Sequence, residues 1–117
     1  MKIRRLSIIG LGLIGGSVAL AAKSQIDIQK MWGFFSQTLF NSPVYVNYGN
    51  IIVNRQFTPA GFSMQLGLKD VNLVLSQAAQ VDQNMPLASL LQHNMQQLIE
   101  AKGPEVDWST VSQAADL

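Results

Sequence analysis

The sequence predicts an all-α fold, a helical bundle preceded by a short N-terminal strand or helix remnant. Three observations carry that expectation. From Ser24 onward, apolar residues recur at spacings of three and four, the period of a helix with one buried side. The breaks between those runs are helix stops and starts: Asn41-Ser42-Pro43, Thr58-Pro59-Ala60-Gly61, Asp82 to Pro86 and Gly103-Pro104. No segment after residue 23 reads as a buried parallel strand.

The first stretch is the exception to the helical pattern. Leu6-Ser7-Ile8-Ile9 is a short apolar run, followed by Gly10-Leu11-Gly12-Leu13-Ile14-Gly15-Gly16-Ser17 and an alanine-rich helix start. This is the strand, glycine turn and helix of a dinucleotide site. Gly10 permits the tight turn, Gly12 lets backbone approach a pyrophosphate, and Gly15 lets helix and strand pack closely. The stretch resembles the opening of prephenate dehydrogenases. A ribose-binding acid is expected roughly 20 positions past the glycines. Asp27 comes too early for that and opens a helical run instead. Two other readings use the same residues. Lys2, Arg4 and Arg5 before an apolar run resemble a signal peptide, and Gly12 with Gly16 has the spacing of a membrane-helix contact. The rest of the chain reads as cytoplasmic, and a buried segment fits the run better than a membrane span.

The helices follow in order. Asp27 caps a first helix carrying Ile28, Met31, Trp32, Phe35 and Leu39 on one side. Pro43 falls in the first turn of a second, with Val44, Tyr48, Ile51 and Ile52 apolar. Ser63 caps the central helix, where Met64, Leu68, Val71, Leu75, Ala78 and Val81 form one side. Leu66, Leu73 and Val74 widen that surface until little of the helix is left for solvent. Its polar residues Gln65, Lys69, Asn72, Ser76 and Gln80 form one narrow stripe. The pattern alone allows a solvated edge or the wall of a cleft. Pro86 opens a fourth helix, with Leu87, Leu90, Leu91, Met95, Leu98 and Ile99 along one side, and Gly103 ends it. Asp107 caps a last short helix whose Trp108 and Val111 pack inward.

Composition narrows the function classes. A chain of 117 residues has room for one domain, and 48% apolar with 13% charged residues supports a packed core. A net charge of +1 implies neither a nucleic-acid nor an anionic-membrane partner. With no cysteine there is no disulfide, thiolate metal site or cysteine nucleophile. The single histidine, His93, lies on a polar helix side with no group spaced to pair with it, so no metal site and no catalytic residue is assigned.

Ile26 to Leu117 resembles the C-terminal helical domain of the β-hydroxyacid dehydrogenase family, which includes 3-hydroxyisobutyrate dehydrogenase and relatives of 6-phosphogluconate dehydrogenase. The matching residues are Thr38 to Tyr45, Asn47-Tyr48-Gly49, Pro59 to Phe62, Gly67-Leu68-Lys69-Asp70-Val71, Met85 to Leu91 and the closing Asp107-Trp108-Ser109. The resemblance implies an NAD- or NADP-dependent oxidoreductase in which this domain closes one side of the cleft. Lys69 matches the lysine that reaches toward the cofactor. Phe62 and Asp70 match positions lining the substrate side. This favours the cleft reading of the stripe.

The family's first domain and the long helix bearing its catalytic lysine and asparagine have no counterpart here, and Lys23 does not replace that lysine. Residues 1–23 are therefore expected to be a truncated Rossmann-like piece or a substitute for part of the long helix, with residues 24–117 forming the helical domain. The leading expectation is a domain incomplete for catalysis alone, acting in cleft closure and in a homodimer that exchanges N-terminal segments. The alternatives are a minimal dimeric NAD(P)-binding protein built from Gly10, Gly12, Gly15 and Lys69, and a non-catalytic helical interaction module.

Overall fold

The computed structural model describes residues 24–116, and every extended element among them is helical. Helices α1 (Ile28–Gln37), α2 (Pro43–Asn54), α3 (Met64–Gln80) and α4 (Pro86–Lys102) are followed by a 3-10 helix, Trp108–Asp116. The all-α expectation holds. The glycine-rich stretch with Gly10, Gly12 and Gly15 lies outside the described residues. The chain divides into two units, 1–56 with 112–117 and 57–111.

In the first unit α1 packs on α2. Asp27 caps α1 as expected, its carboxylate accepting from the Lys30 amide at 3.1 Å. Ser42 caps α2, with Pro43 as its first residue. The two helices meet where Trp32 lies on Gly49; both are buried, and a Cβ at Gly49 would overlap the indole ring. Trp32 Nε1 donates to Asn50 Oδ1 at 2.7 Å, so the ring is buried with its polar atom satisfied. The expected core aromatics divide: Trp32 is buried, while Phe35, Tyr45 and Tyr48 are half-buried. Phe35, Phe40 and Tyr45 form a run of ring contacts at 6.0 and 5.4 Å.

The second unit is the α3–α4 hairpin and the segment that closes on it. Ser63 Oγ accepts from the Leu66 amide, as its cap position predicts. Met64, Ala78, Met95 and Leu98 are its buried apolar residues within the two helices. Gly103 ends α4 with φ +89, a value that glycine adopts without strain. Residues 104–108 then run along the entry to α3. The Met64 amide donates to Val106 O at 2.7 Å, Asp107 N to Phe57 O at 2.8 Å and Trp108 N to Phe62 O at 2.8 Å. The pairing of Ser63 with Asp107 is an isolated antiparallel bridge, not a sheet.

One expectation is corrected. α3 is not nearly all buried: Leu66, Leu73 and Val74 stand 46, 56 and 47% exposed. Helical spacing identifies apolar positions but not the number of neighbours. Within the second unit α4 is the long helix that packs along α3, and one such partner covers only part of so wide an apolar arc. Leu39, Val44, Val81, Leu87 and Leu90, also read as inward-facing, are exposed as well.

Candidate functional site

The polar stripe is a real surface feature. At 100° per residue, Gln65, Lys69, Asn72, Ser76 and Gln80 fall within one arc of α3, and all five are exposed. Leu68 and Leu73 flank that arc. Gln65, Leu68, Lys69, Asn72, Leu73 and Ser76 line an open depression of about 470 Å³. Its size suits a small ligand, but every lining residue belongs to α3, so the depression is one wall rather than an enclosure.

The wall has a fixed polar frame. Asn72 Oδ1 accepts from Gln92 Nε2 at 2.7 Å, which ties the stripe to α4 and leaves the Asn72 amide nitrogen to donate outward. Ser76 Oγ donates to Leu73 O at 2.9 Å, so its lone pairs remain for an incoming donor. Lys69 is 63% exposed, with its ammonium 3.7 Å from Asp70 Oδ1. Nothing aliphatic encloses it. A pair this exposed is weak, so the ammonium can leave Asp70 for a ligand anion at little cost. One cation, one amide donor, one hydroxyl and two leucines suit an amphiphilic ligand bearing negative charge.

The other residues assigned from the sequence separate. Phe62 directs its ring to Gly67, where a Cβ would lie 3.6 Å from Phe62 Cε1 and 3.1 Å from Met95 Cε. It is half-buried and does not line the depression. Asp70 is exposed and pairs with Lys69, but it also lies outside the lining. His93 is exposed, and no group of three or more potential metal-binding side chains occurs among the described residues.

Asp107 does more than the expected cap. It is 1% exposed, and its carboxylate accepts from the Gly61 and Phe62 amides at 3.0 and 3.2 Å and from both the amide and hydroxyl of Ser109. It therefore fixes the loop that leads into α3, and with it the start of the helix that carries Lys69. Partners 46 positions apart leave no periodic trace in a sequence. The signals were an aspartate before a short helix and its place in the matching Asp107-Trp108-Ser109, and neither names Gly61 or Phe62.

Three comparisons bear on this arrangement. The family model described as NAD-binding of NADP-dependent 3-hydroxyisobutyrate dehydrogenase matches residues 5–115. Over 83 residues the chain is 45% identical to the uncharacterized oxidoreductase YfjR of Bacillus subtilis strain 168, covering 71% of this chain and 29% of that protein. The crystal structure of 3-hydroxyisobutyrate dehydrogenase (ygbJ) from Salmonella typhimurium has the same fold over 88% of this chain and 36% of that one, with a TM-score of 0.73 and 24% identity. This chain thus spans about a third of the length of these relatives.

Proposed function

The chain belongs to the NAD-binding family of NADP-dependent 3-hydroxyisobutyrate dehydrogenases, and from that premise we propose that it is the helical wall of an NAD(P)-dependent oxidoreductase of the β-hydroxyacid dehydrogenase type, closing one side of a cofactor cleft and taking part in dimerisation. The family's cofactor is NAD or NADP. The observation that carries the reading is the exposed Lys69 ammonium beside the Asn72 amide and Ser76 hydroxyl, between Leu68 and Leu73.

These groups fit a nicotinamide dinucleotide as a wall fits it. The ammonium offsets phosphate or carboxylate charge, the amide and hydroxyl offer hydrogen bonds to polar substituents, and the leucines cover an apolar ring face. Such a cofactor, when bound, accepts or gives a hydride at its nicotinamide ring. The part proposed for α3 is to hold and orient, and to exclude water from one side. The same reading places the protein in the cytoplasm. Among the described residues no helix is long and apolar enough to cross a membrane, and cell fractionation tests the location directly.

Amide chemical shifts recorded while NAD or NADP is titrated to millimolar concentration test the cofactor wall. The expected result is movement of the Gln65–Ser76 amides, weakened about tenfold by Lys69→Gln, the loss of one charge-assisted contact. Shifts confined to other residues, or an affinity indifferent to Lys69→Gln, would refute the proposal.

A further inference from the structure

The Asn72–Gln92 hydrogen bond marks one side of the α3–α4 hairpin as polar. On the other side the residues change character. Leu66, Leu73, Val74 and Val81 of α3 lie there at 46, 56, 47 and 74% exposed, and helical geometry puts Leu87 and Leu90 of α4 on that side as well, at 63 and 42%. Together they expose on the order of 600 Å² of apolar surface, at the upper end of what one patch on a monomer carries. Two such surfaces meeting face to face would bury up to about 1,200 Å², the size at which specific interfaces begin.

The order of residues along this face is self-complementary. Place two copies of α3 antiparallel about a two-fold axis between positions 73 and 74. Leu66 then meets Val81, Leu73 meets Val74, and Asp70 meets Gln77, each pair occurring twice. The apolar positions pair with one another. The two polar positions, Asp70 and Gln77, also fall together, and there an amide can donate to a carboxylate.

We propose that this side of the α3–α4 hairpin is a homodimer interface, formed by antiparallel pairing of α3 with α3 of a second copy about an axis at Leu73–Val74. The proposal rests on the dimerisation part of the reading above and gives it a surface and a register. It shares Leu73 with the depression, and Asp70 is the ion-pair partner of Lys69, but Val74, Gln77 and Val81 do not line the depression, so substitutions at those three positions test the seam apart from the cofactor wall.

Sedimentation equilibrium on the full chain tests it, with circular dichroism checking that each variant folds. The expected result is a concentration-dependent dimer. Val74→Glu should raise the dissociation constant a hundredfold or more by putting a charge against Leu73 of the second copy at the two-fold axis. Gln77 is exposed, so its variants leave the fold intact. Gln77→Glu, facing Asp70, should weaken the dimer about tenfold, and Gln77→Lys should tighten it several-fold, because the register brings opposite charges together twice. A dimer that ignores both Gln77 variants overturns the proposed surface while leaving dimerisation itself standing. A monomer at millimolar concentration overturns both. A monomer whose fold is destabilised by Val74→Glu shows that the face is covered within the chain, and that also overturns the proposal. Loss of nucleotide-induced shifts with the dimer intact would strike only the cofactor wall.

Discussion

Asp107→Asn should destabilise the second unit by about 2–4 kcal/mol, although it changes one atom of a residue that touches no proposed ligand. The estimate follows from what each carboxylate oxygen accepts. Oδ2 takes the Gly61 and Phe62 amides, while Oδ1 takes the Ser109 amide and hydroxyl. An asparagine must turn its NH2 group toward one of these pairs. Whichever it chooses, a donor then faces donors, and two hydrogen bonds to a charged acceptor are lost at roughly 1.5–3 kcal/mol each. Relief from burying the charge returns part of that cost. Against the ~5–15 kcal/mol that typically holds a domain together, the remainder is large. Urea unfolding followed by helical circular dichroism gives the comparison, read as a shift in midpoint at constant slope. Ser109→Ala is the internal control: it removes one donor, leaves the other three bonds in place, and should cost only about 1 kcal/mol. If Asp107→Asn lies within about 0.5 kcal/mol of the parent, the carboxylate is not the clamp described here.

Other positions test the packing. Gly33 and Gly49 both lie inside helices, yet alanine should act in opposite directions. At Gly33 a Cβ meets nothing within 4 Å, so Gly33→Ala should stabilise by roughly 0.5–1 kcal/mol through helix propensity. At Gly49 it meets the Trp32 ring, so Gly49→Ala should cost about 3 kcal/mol or more and move the tryptophan fluorescence. Thr110 is fully buried with its hydroxyl unpartnered, so Thr110→Val should be neutral or stabilising by about 1 kcal/mol in the same urea assay.

The helices were legible because their limits are written locally. Asp27, Ser42, Ser63, Pro43, Pro86 and Gly103 each act within a turn of their own position, and each stands where its chemistry placed it. Asp107 was half legible. Its bonds to Ser109 are local, whereas those to Gly61 and Phe62 depend on how the chain returns. The exposure of Leu66, Leu73 and Val74 was illegible for a different reason. An apolar residue facing solvent and one facing a core are the same letter, and only the number of packed neighbours separates them. The packing of Phe62 was illegible too: correspondence of position named the residue, and nothing in the sequence set its ring against Gly67.

That asymmetry explains why the polar stripe told more than the apolar residues did. α3 presents three arcs. Met64, Gly67 and Ala78 are buried, Gln65 to Ser76 carry the stripe, and Leu66 to Val81 carry the exposed apolar side. Two of the three arcs are apolar, so pattern alone merges them into one broad buried surface. The stripe stays distinct because polar groups at helical spacing have no reason to align on a mostly apolar helix unless something polar meets them. The three arcs also predict independence. Lys69 and Gln77 are two turns apart along α3, and only Lys69 lines the depression. The effect of Lys69→Gln on nucleotide affinity should therefore be the same, within about 0.5 kcal/mol, with and without Gln77→Lys, and the effect of Gln77→Lys on dimer dissociation the same with and without Lys69→Gln. A larger coupling would mean that the cofactor wall and the dimer seam are one surface, and that the division of α3 into separate sides is wrong.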